Sequence, residues 1–262
     1  MRTVIERIDE LSVDLFAGIP SQTSQADRRS LLAVQRATAR RHPQFAYLEI
    51  GSYLGGSIQP YLLDPRCTAI YSIDPRPAEQ PDDRSPGHVV RYEDNSTERM
   101  LGLLRKLEPE RMSAIRCFDA DASQVDPGRI APAPQVALID GEHTRGAVLS
   151  DFAFCRGVLA DEGTILFDDF PIVYPAVLEI CRELEKGGRR FVAARLEGKV
   201  FGIFFDESKV RGDPFLSRCR ARSRLTLARY RVKLLGKSLL PGSIGRSART
   251  VRAAMRADAR RP

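Results

Sequence analysis

The sequence predicts an α/β protein built on a doubly wound, mostly parallel sheet of seven strands. Seven short β-rich apolar segments lie between residues 46 and 206. Amphipathic helical patterns separate most of them, and Gly, Pro or Asp closes several of their ends. Strands alternating with helices pair in parallel, through right-handed crossovers, with both faces of the sheet covered.

The elements follow in order. Residues 1–17 place Val4, Ile5, Ile8, Leu11 and Leu15 on one helical face, and Pro20 with the polar cluster 21–25 ends the pattern. A second helix is predicted over about 27–41, before Pro43. Residues 46–51 read as a buried strand, and a helix follows Gly56. Residues 69–74 form the second strand, closed by Pro75 and Pro77. The Pro-, Asp- and Gly-rich stretch 76–90 reads as a surface loop. Residues 96–107 are an amphipathic helix with Met100, Leu103, Leu104 and Leu107 inward. Strands at 114–118, 136–140 and 164–168 alternate with helices at 147–159 and 173–186, the last ended by Gly187-Gly188. Segments 191–195 and 200–206, around Gly198, make a closing hairpin.

Composition narrows the function classes. At 262 residues, 43% of them hydrophobic, the chain can bury one sizeable core and is not disordered throughout. No stretch approaches the ~20 apolar residues that span a bilayer. The apolar run 11–19 is short and interrupted by Asp14, unlike a secretory leader. Five scattered cysteines without a CxxC pair exclude a disulfide framework and a zinc site, and predict a cytoplasmic protein. With three histidines (His42, His88 and His143), any metal must be held by oxygen. Charge divides the chain: residues 1–210 carry a net −6 and residues 211–262 a net +13. The predicted organisation is an N-terminal helical segment (1–44), a catalytic unit (45–210) and a basic helical tail (211–262).

In doubly wound sheets ligands bind beyond the carboxyl ends of the strands. The first strand runs into Glu49-Ile50-Gly51-Ser52-Tyr53-Leu54-Gly55-Gly56-Ser57. A nicotinamide fingerprint needs GxGxxG, and Tyr53 replaces its second glycine. Glu49 would repel a diphosphate but suits a cationic group or a ribose hydroxyl. Asp74, at the end of the second strand, is placed to accept hydrogen bonds from a ribose diol. A nucleoside with positive charge and no phosphates meets these demands, and S-adenosylmethionine is such a molecule. LEIGSYLGGS followed by SIDP resembles the first two motifs of class I S-adenosylmethionine-dependent methyltransferases, over about residues 45–207. The resemblance implies the Rossmann-like methyltransferase fold. It implies that Glu49, Gly51, Tyr53 and Ser57 line the methionine half, that Asp74 binds the ribose, and that Asp121, Ala122 and Ser123 contact the adenine.

Two later strands end in acids: Asp140-Gly141-Glu142-His143 and Asp168-Asp169-Phe170. Neighbouring parallel strands lie about 4.8 Å apart, so these carboxylates can converge on a hard cation such as Mg²⁺. Successive strand residues point to opposite faces, so Asp168 and Asp169 both face one ion only if the chain turns there, as Pro171 allows. The pattern IDGEH…FDDF is similar to the metal-dependent O-methyltransferase branch, which includes sugar-modifying enzymes. The resemblance implies Asp140, Asp168 and Asp169 as ligands of Mg²⁺ and His143 as the base, where catechol-type enzymes carry lysine; Glu142 is the reserve base. The implied acceptor is a hydroxyl of a sugar or oligosaccharide, a methylated mannoside among them.

Alternatives are a catechol- or phenol-type acceptor, a nucleic-acid methyltransferase using the tail, or a degenerate fold acting as a scaffold. The tail has two apolar helical stripes, in 225–240 and 244–259. They suit docking on the acidic body or on a second subunit of a homodimer, a membrane surface or anionic glycan, or nucleic acid, for which Tyr230 alone offers a stacking ring.

Overall fold

The computed structural model describes residues 2–238. Its elements, in chain order, are α1 (Val4–Asp9), α2 (Gln25–Arg41), β1 (Phe45–Ile50), α3 (Gln59–Leu63), β2 (Cys67–Ile73), β3 (Glu79–Pro81), β4 (Val89–Arg91), α4 (Thr97–Leu107), β5 (Ile115–Phe118), β6 (Val136–Ile139), α5 (Arg145–Val158), β7 (Thr164–Phe167), α6 (Phe170–Lys186), β8 (Val192–Arg195), β9 (Phe201–Phe204), α7 (Glu207–Arg211) and α8 (Pro214–Ser238). Seven strands form one sheet in the order β5-β2-β1-β6-β7-β9-β8. All pair in parallel except β9, which runs antiparallel to β7 and β8. This is the predicted doubly wound, seven-stranded sheet, with residues 191–206 as its closing hairpin.

Alternation along β1 shows how the two faces are filled. Phe45 and Tyr47 point into one buried cluster, with residues of α2, α3, α4, α7 and α8. Ala46, Leu48 and Ile50 point into the other, with residues of α5 and α6. All six β1 residues are buried, as a parallel strand covered on both sides requires. Tyr47 stacks on Tyr61 of α3 with ring centroids 3.6 Å apart, tying the first strand to the helix after it.

Connections run outward from β1 in one direction through β2 to β5, then resume at β6 and continue through β7. The order reverses between β1 and β6, and a crevice opens at their carboxyl ends. There the chain approaches itself closely. A methyl on Gly51, whose φ is +87°, would lie 2.2 Å from the Asp140 carbonyl oxygen. The first turn and the end of β6 can meet only because residue 51 has no side chain.

Three elements differ from expectation. The N-terminal helix does not run through residue 17. It stops after α1 in a Schellman motif with Leu11 at φ 57°, Leu11 N–H donating to Ile8 O and Ser12 N–H to Arg7 O. Val13–Phe16 then form a short 3-10 turn that buries Leu15 and Phe16, while Ile5 stays 38% exposed. The expected loop 76–90 holds the antiparallel ribbon β3–β4. The tail helix starts at Pro214, where the Asp213 carboxylate accepts from Phe215 N–H and Leu216 N–H and pairs with buried Arg36 of α2. Tyr230 of α8 packs on Phe170 and Tyr174, but Leu225 and Val232 are exposed. The stripe in residues 244–259 lies outside the described residues. Among those described, no helix is long and apolar enough to cross a membrane.

Candidate active site at the carboxyl edge of the sheet

The crevice between β1 and β6 is a cleft of about 700 Å³, its open mouth included. Its floor is the first turn. Gly51 and Tyr53 both adopt positive φ, +87° and 43°. Tyr53 therefore takes up the backbone shape of the glycine it replaces, a strained conformation at a ligand site. Its N–H donates to Asp74 Oδ2 at 2.9 Å, which fastens the turn to the end of β2. Asp74 Oδ1 accepts Arg76 N–H at 2.8 Å. Oδ2 also lies 3.4 Å from Arg76 Nη1, which leaves Oδ1 with a lone pair for a ligand hydroxyl, and Asp74 lines the cleft with Gly51, Tyr53 and Ser57.

Glu49 is placed differently. It does not line the cleft but lies beneath the turn, fully buried, accepting from the Ser57 and Tyr47 hydroxyls. Burial pushes its carboxyl up to about 7 against those two hydrogen bonds. Asp121, Ala122 and Ser123 also lie outside the cleft lining, in a 3-10 turn after β5. Asp121 and Ser123 are exposed and Ala122 is buried in the core. β5 is the outermost strand, two positions from β1, so its end stands away from the switch point.

Opposite the turn, Asp140, His143, Asp168 and Asp169 share the cleft wall. Asp168 and Asp169 both reach it because the chain turns between them. Asp169 adopts φ 45°, ψ 37° and precedes α6, with Pro171 in the first helical turn. Burial raises Asp140 to about 6, and Asp168 well above the carboxylate range with Asp140 adding repulsion. The Asp168 Oδ1 atom is buried without a hydrogen-bond partner. His143 is held at about 9: burial lowers it, and the carboxylates of Asp140, Asp82 and Asp169 outweigh burial. Its Nε2 lies 3.9 Å from Asp140 Oδ1 and 3.6 Å from Asp169 Oδ2. Glu142, the reserve base, does not line the cleft, and its Oε1 accepts the Thr144 hydroxyl.

An all-oxygen, mutually repelling set with an orphaned buried oxygen suits a hard divalent cation. The carboxylates are not drawn into a cage, however. Among the described residues no group of three or more His, Cys, Asp or Glu side chains is gathered closely enough to hold an ion. As they stand, Asp140, Asp168 and Asp169 share one cleft wall without closing on a single point. Like charges repel, and Asp169 is engaged elsewhere, its Oδ1 2.8 Å from Lys199 Nζ and its Oδ2 beside His143.

Lys199 was not among the expected site residues. It stands at the β8–β9 turn, where Asp27 accepts its N–H at 2.5 Å and its carbonyl accepts Phe170 N–H at 3.0 Å. A methyl on Gly198 would strike the Asp27 carboxylate, so this turn too depends on a glycine with positive φ. Asp82 falls in the stretch expected as a surface loop. Its carboxylate is buried and 2.9 Å from His143 Nδ1. The cleft mouth adds Ser21, Gln22 and Thr23 from the segment before α2, and Gln80, Tyr92 and Asn95 from the ribbon and the turn after it.

Residues 48–170 match the family model described as a methyltransferase domain. The match begins in β1 and ends at the first residue of α6, and so contains the whole glycine turn and all four acidic and histidine wall residues. No curated protein sequence matches the chain. Among solved structures, the chain is similar to CalS11, a calicheamicin methyltransferase, at 14% identity over 76% of this chain and 91% of that one, with a TM-score of 0.48. It is similar to the O-methyltransferase TomG from Streptomyces achromogenes, in complex with S-adenosylmethionine, at 12% identity over 78% and 90%, TM-score 0.46. It is also similar to the MycE methyltransferase of the mycinamycin pathway, in complex with Mg and S-adenosylhomocysteine, at 16% identity over 76% and 55%, TM-score 0.45.

Proposed function

We propose that the protein is an S-adenosylmethionine- and Mg²⁺-dependent O-methyltransferase acting on a hydroxyl of a sugar or glycan. One observation carries this reading. The glycine turn with Asp74 and the wall of Asp140, His143, Asp168 and Asp169 line the same cleft, at the switch point of the sheet. The methyltransferase-domain match over residues 48–170 supports the reaction class.

Methyl transfer from a sulfonium is an in-line displacement. The acceptor oxygen forms the new C–O bond, the C–S bond breaks, and S-adenosylhomocysteine leaves with the bonding pair. The acceptor hydroxyl must give up its proton, and His143 Nε2 faces the cleft to take it. A divalent cation held by Asp140, Asp168 and Asp169 would lower the pKa of a nearby hydroxyl and orient the acceptor's oxygens. Asp140, Asp169 and Asp82 raise His143 to about 9, and a cation that neutralised the first two would bring the ring back toward its ordinary range, where it can act as a base. Asp74 and the backbone of Gly51–Tyr53 position the donor, and the closeness of the two reactants supplies the remaining advantage.

The mouth of the cleft supports a polyhydroxyl acceptor. Hydroxyl and amide groups of Ser21, Gln22, Thr23, Gln80 and Asn95 line it, beside Tyr53 and Tyr92, which meet edge to face rather than as one flat wall. A planar catechol would call for flatter, more apolar walls.

The test is transfer of a labelled methyl group from S-adenosylmethionine to a panel of mono- and oligosaccharides, with Mg²⁺ and with EDTA. Label is expected on at least one neutral sugar and is expected to vanish with EDTA. Calorimetry that finds no binding of S-adenosylmethionine, or full turnover in EDTA, refutes the reading.

A further inference from the structure

The ribbon β3–β4 does something that neither the fold nor the reaction class requires. Residues 82 and 83, just after β3, lie alongside the loop between β6 and α5. Asp82 and His143 form a parallel backbone bridge, and Asp83 N–H donates to His143 O at 3.4 Å. Asp83 also accepts Arg145 N–H at 2.9 Å. This short zipper buries Asp82, whose side chain is 1% exposed, against the inner edge of the imidazole. Asp82 Oδ2 is 2.9 Å from His143 Nδ1, while its Oδ1 accepts Arg84 N–H at 2.7 Å. The other ring nitrogen, Nε2, is buried in the cleft wall without a hydrogen-bond partner.

We propose that Asp82 is a positioning residue for His143, holding the ring with its proton on Nδ1 and its Nε2 lone pair turned into the cleft. The inference rests on the methyl-transfer reading for its catalytic consequence, but not for its geometry. A neutral imidazole carries one proton, and the nitrogen within hydrogen-bond distance of a carboxylate keeps it: Nδ1 is 2.9 Å from Asp82, whereas Nε2 stands 3.6 Å from Asp169 and 3.9 Å from Asp140. The ring has one productive tautomer here, because a proton on Nε2 would leave His143 no lone pair in the cleft to accept the acceptor's proton. The dyad cannot rotate freely, since the backbone on both sides is zipped and Oδ1 is committed to Arg84.

Asp82→Asn separates orientation from packing. The Arg84 N–H, bonded at 2.7 Å, keeps the amide oxygen on its own side, and the exposed Arg84 guanidinium, which reaches Oδ2 at 3.3 Å, is free to swing into solvent, so the amide NH₂ faces Nδ1 and donates to it. The proton then moves to Nε2. The tautomer is read directly in the full-length protein by long-range ¹H–¹⁵N correlation of the histidine rings, above the pH at which His143 titrates. His42 and His88 are the only other histidines and serve as internal references. The expected result is an Nδ1–H ring in the wild type, an Nε2–H ring in Asp82→Asn, and recovery of Nδ1–H in Asp82→Glu, which restores a carboxylate. On the sugar that scores in the acceptor screen, Asp82→Asn is expected to lower kcat by about 100-fold or more, the scale of losing a correctly protonated base. KM for S-adenosylmethionine should stay within roughly threefold, and Asp82→Glu should regain part of kcat. An Nε2–H ring in the wild type overturns the proposal whatever the reaction. Wild-type kcat in Asp82→Asn overturns it where His143→Ala is inactive. Wild-type turnover in His143→Ala instead removes the base reading itself. These failures are distinguishable because the tautomer is read without turnover.

Discussion

Glu49→Gln is expected to make the protein more stable and a worse ligand binder at once. Glu49 is fully buried and receives hydrogen bonds from the Ser57 and Tyr47 hydroxyls. Burial, its leading perturbation, raises its carboxyl from 4.5 to about 7. The folded protein therefore binds this proton more tightly than the unfolded chain. Stability from Glu49 is fully present below pH 4.5 and is lost as pH rises through about 7. A difference of that size corresponds to on the order of 3 kcal/mol. Glutamine has the shape of the protonated acid and no titration, and both hydroxyls can donate to or accept from its amide. Urea unfolding of wild type and variant, without cofactor, is compared at pH 5 and pH 8. The variant should gain on the wild type by on the order of 2–3 kcal/mol across that interval, with equal m values. Calorimetry at pH 8 should show weaker S-adenosylmethionine binding by the variant, because the charge beneath the turn is gone. Stability curves that run parallel between the two pH values would refute the reasoning, since they would mean that Glu49 ionises as freely folded as unfolded.

Other substitutions test neighbouring parts of the structure. Asp168→Asn removes a carboxylate that Asp140 repels and whose Oδ1 has no partner. Its melting temperature without added cation should rise, while the stabilisation that Mg²⁺ confers on the wild type, read in the same melts, should largely disappear. Gly51→Ala puts a methyl 2.2 Å from the Asp140 carbonyl at a φ of +87°. It should cost roughly 3 kcal/mol or more in chemical unfolding and weaken cofactor binding, because the two halves of the sheet can no longer meet there. Asp213→Ala takes both oxygens from the buried Arg36 guanidinium, bonded at 2.7 and 2.9 Å, and leaves the first turn of α8 uncapped. A loss of about 3–5 kcal/mol is expected from the unpaired arginine, visible as a lower urea midpoint.

The parts of the site that could be read from the sequence are those whose cause is local. Asp74, Asp140 and Asp168 follow apolar runs directly, and a carboxylate at a strand's end in a doubly wound sheet stands at the ligand edge wherever that strand sits. Asp169 was legible only conditionally. Its side chain reaches the cleft through a left-handed residue that no periodicity encodes, though Pro171 marks where the turn could occur. Glu49 is expected to line the methionine half of the site, yet it lies beneath the turn, because its depth depends on Ser57 folding back over it from eight residues on. The basic tail is only partly legible, because a stripe of leucines does not say where its helix starts or which of them the body covers. Leu225 is 76% exposed on a helix that Asp213 starts eleven residues earlier than expected.

Asp82 and Lys199 are the harder cases, and for one reason. Asp82 meets His143 across 61 residues, and Lys199 meets Asp169 across α6 and β8. Neither lies in a pattern with hydrophobic periodicity, because each is placed by backbone contacts rather than by its own side chain. The zipper of 82–83 on 143–145 sets one, and the Asp27 clamp on the 198–199 turn sets the other. Both contacts join segments that composition marks only as loops. The two residues act oppositely on the cleft, a carboxylate behind the histidine and an ammonium in front of an aspartate. Together they set the charge that the wall presents before any ligand arrives. Lys199 neutralises one of three crowded carboxylates, so a divalent cation entering the cleft must displace it from Asp169 or share that side chain with it. Lys199→Met should therefore tighten Mg²⁺ binding in calorimetry, because its side chain packs similarly but competes for nothing. Unchanged or weaker Mg²⁺ affinity would instead make Lys199 a partner of the acceptor or of the donor.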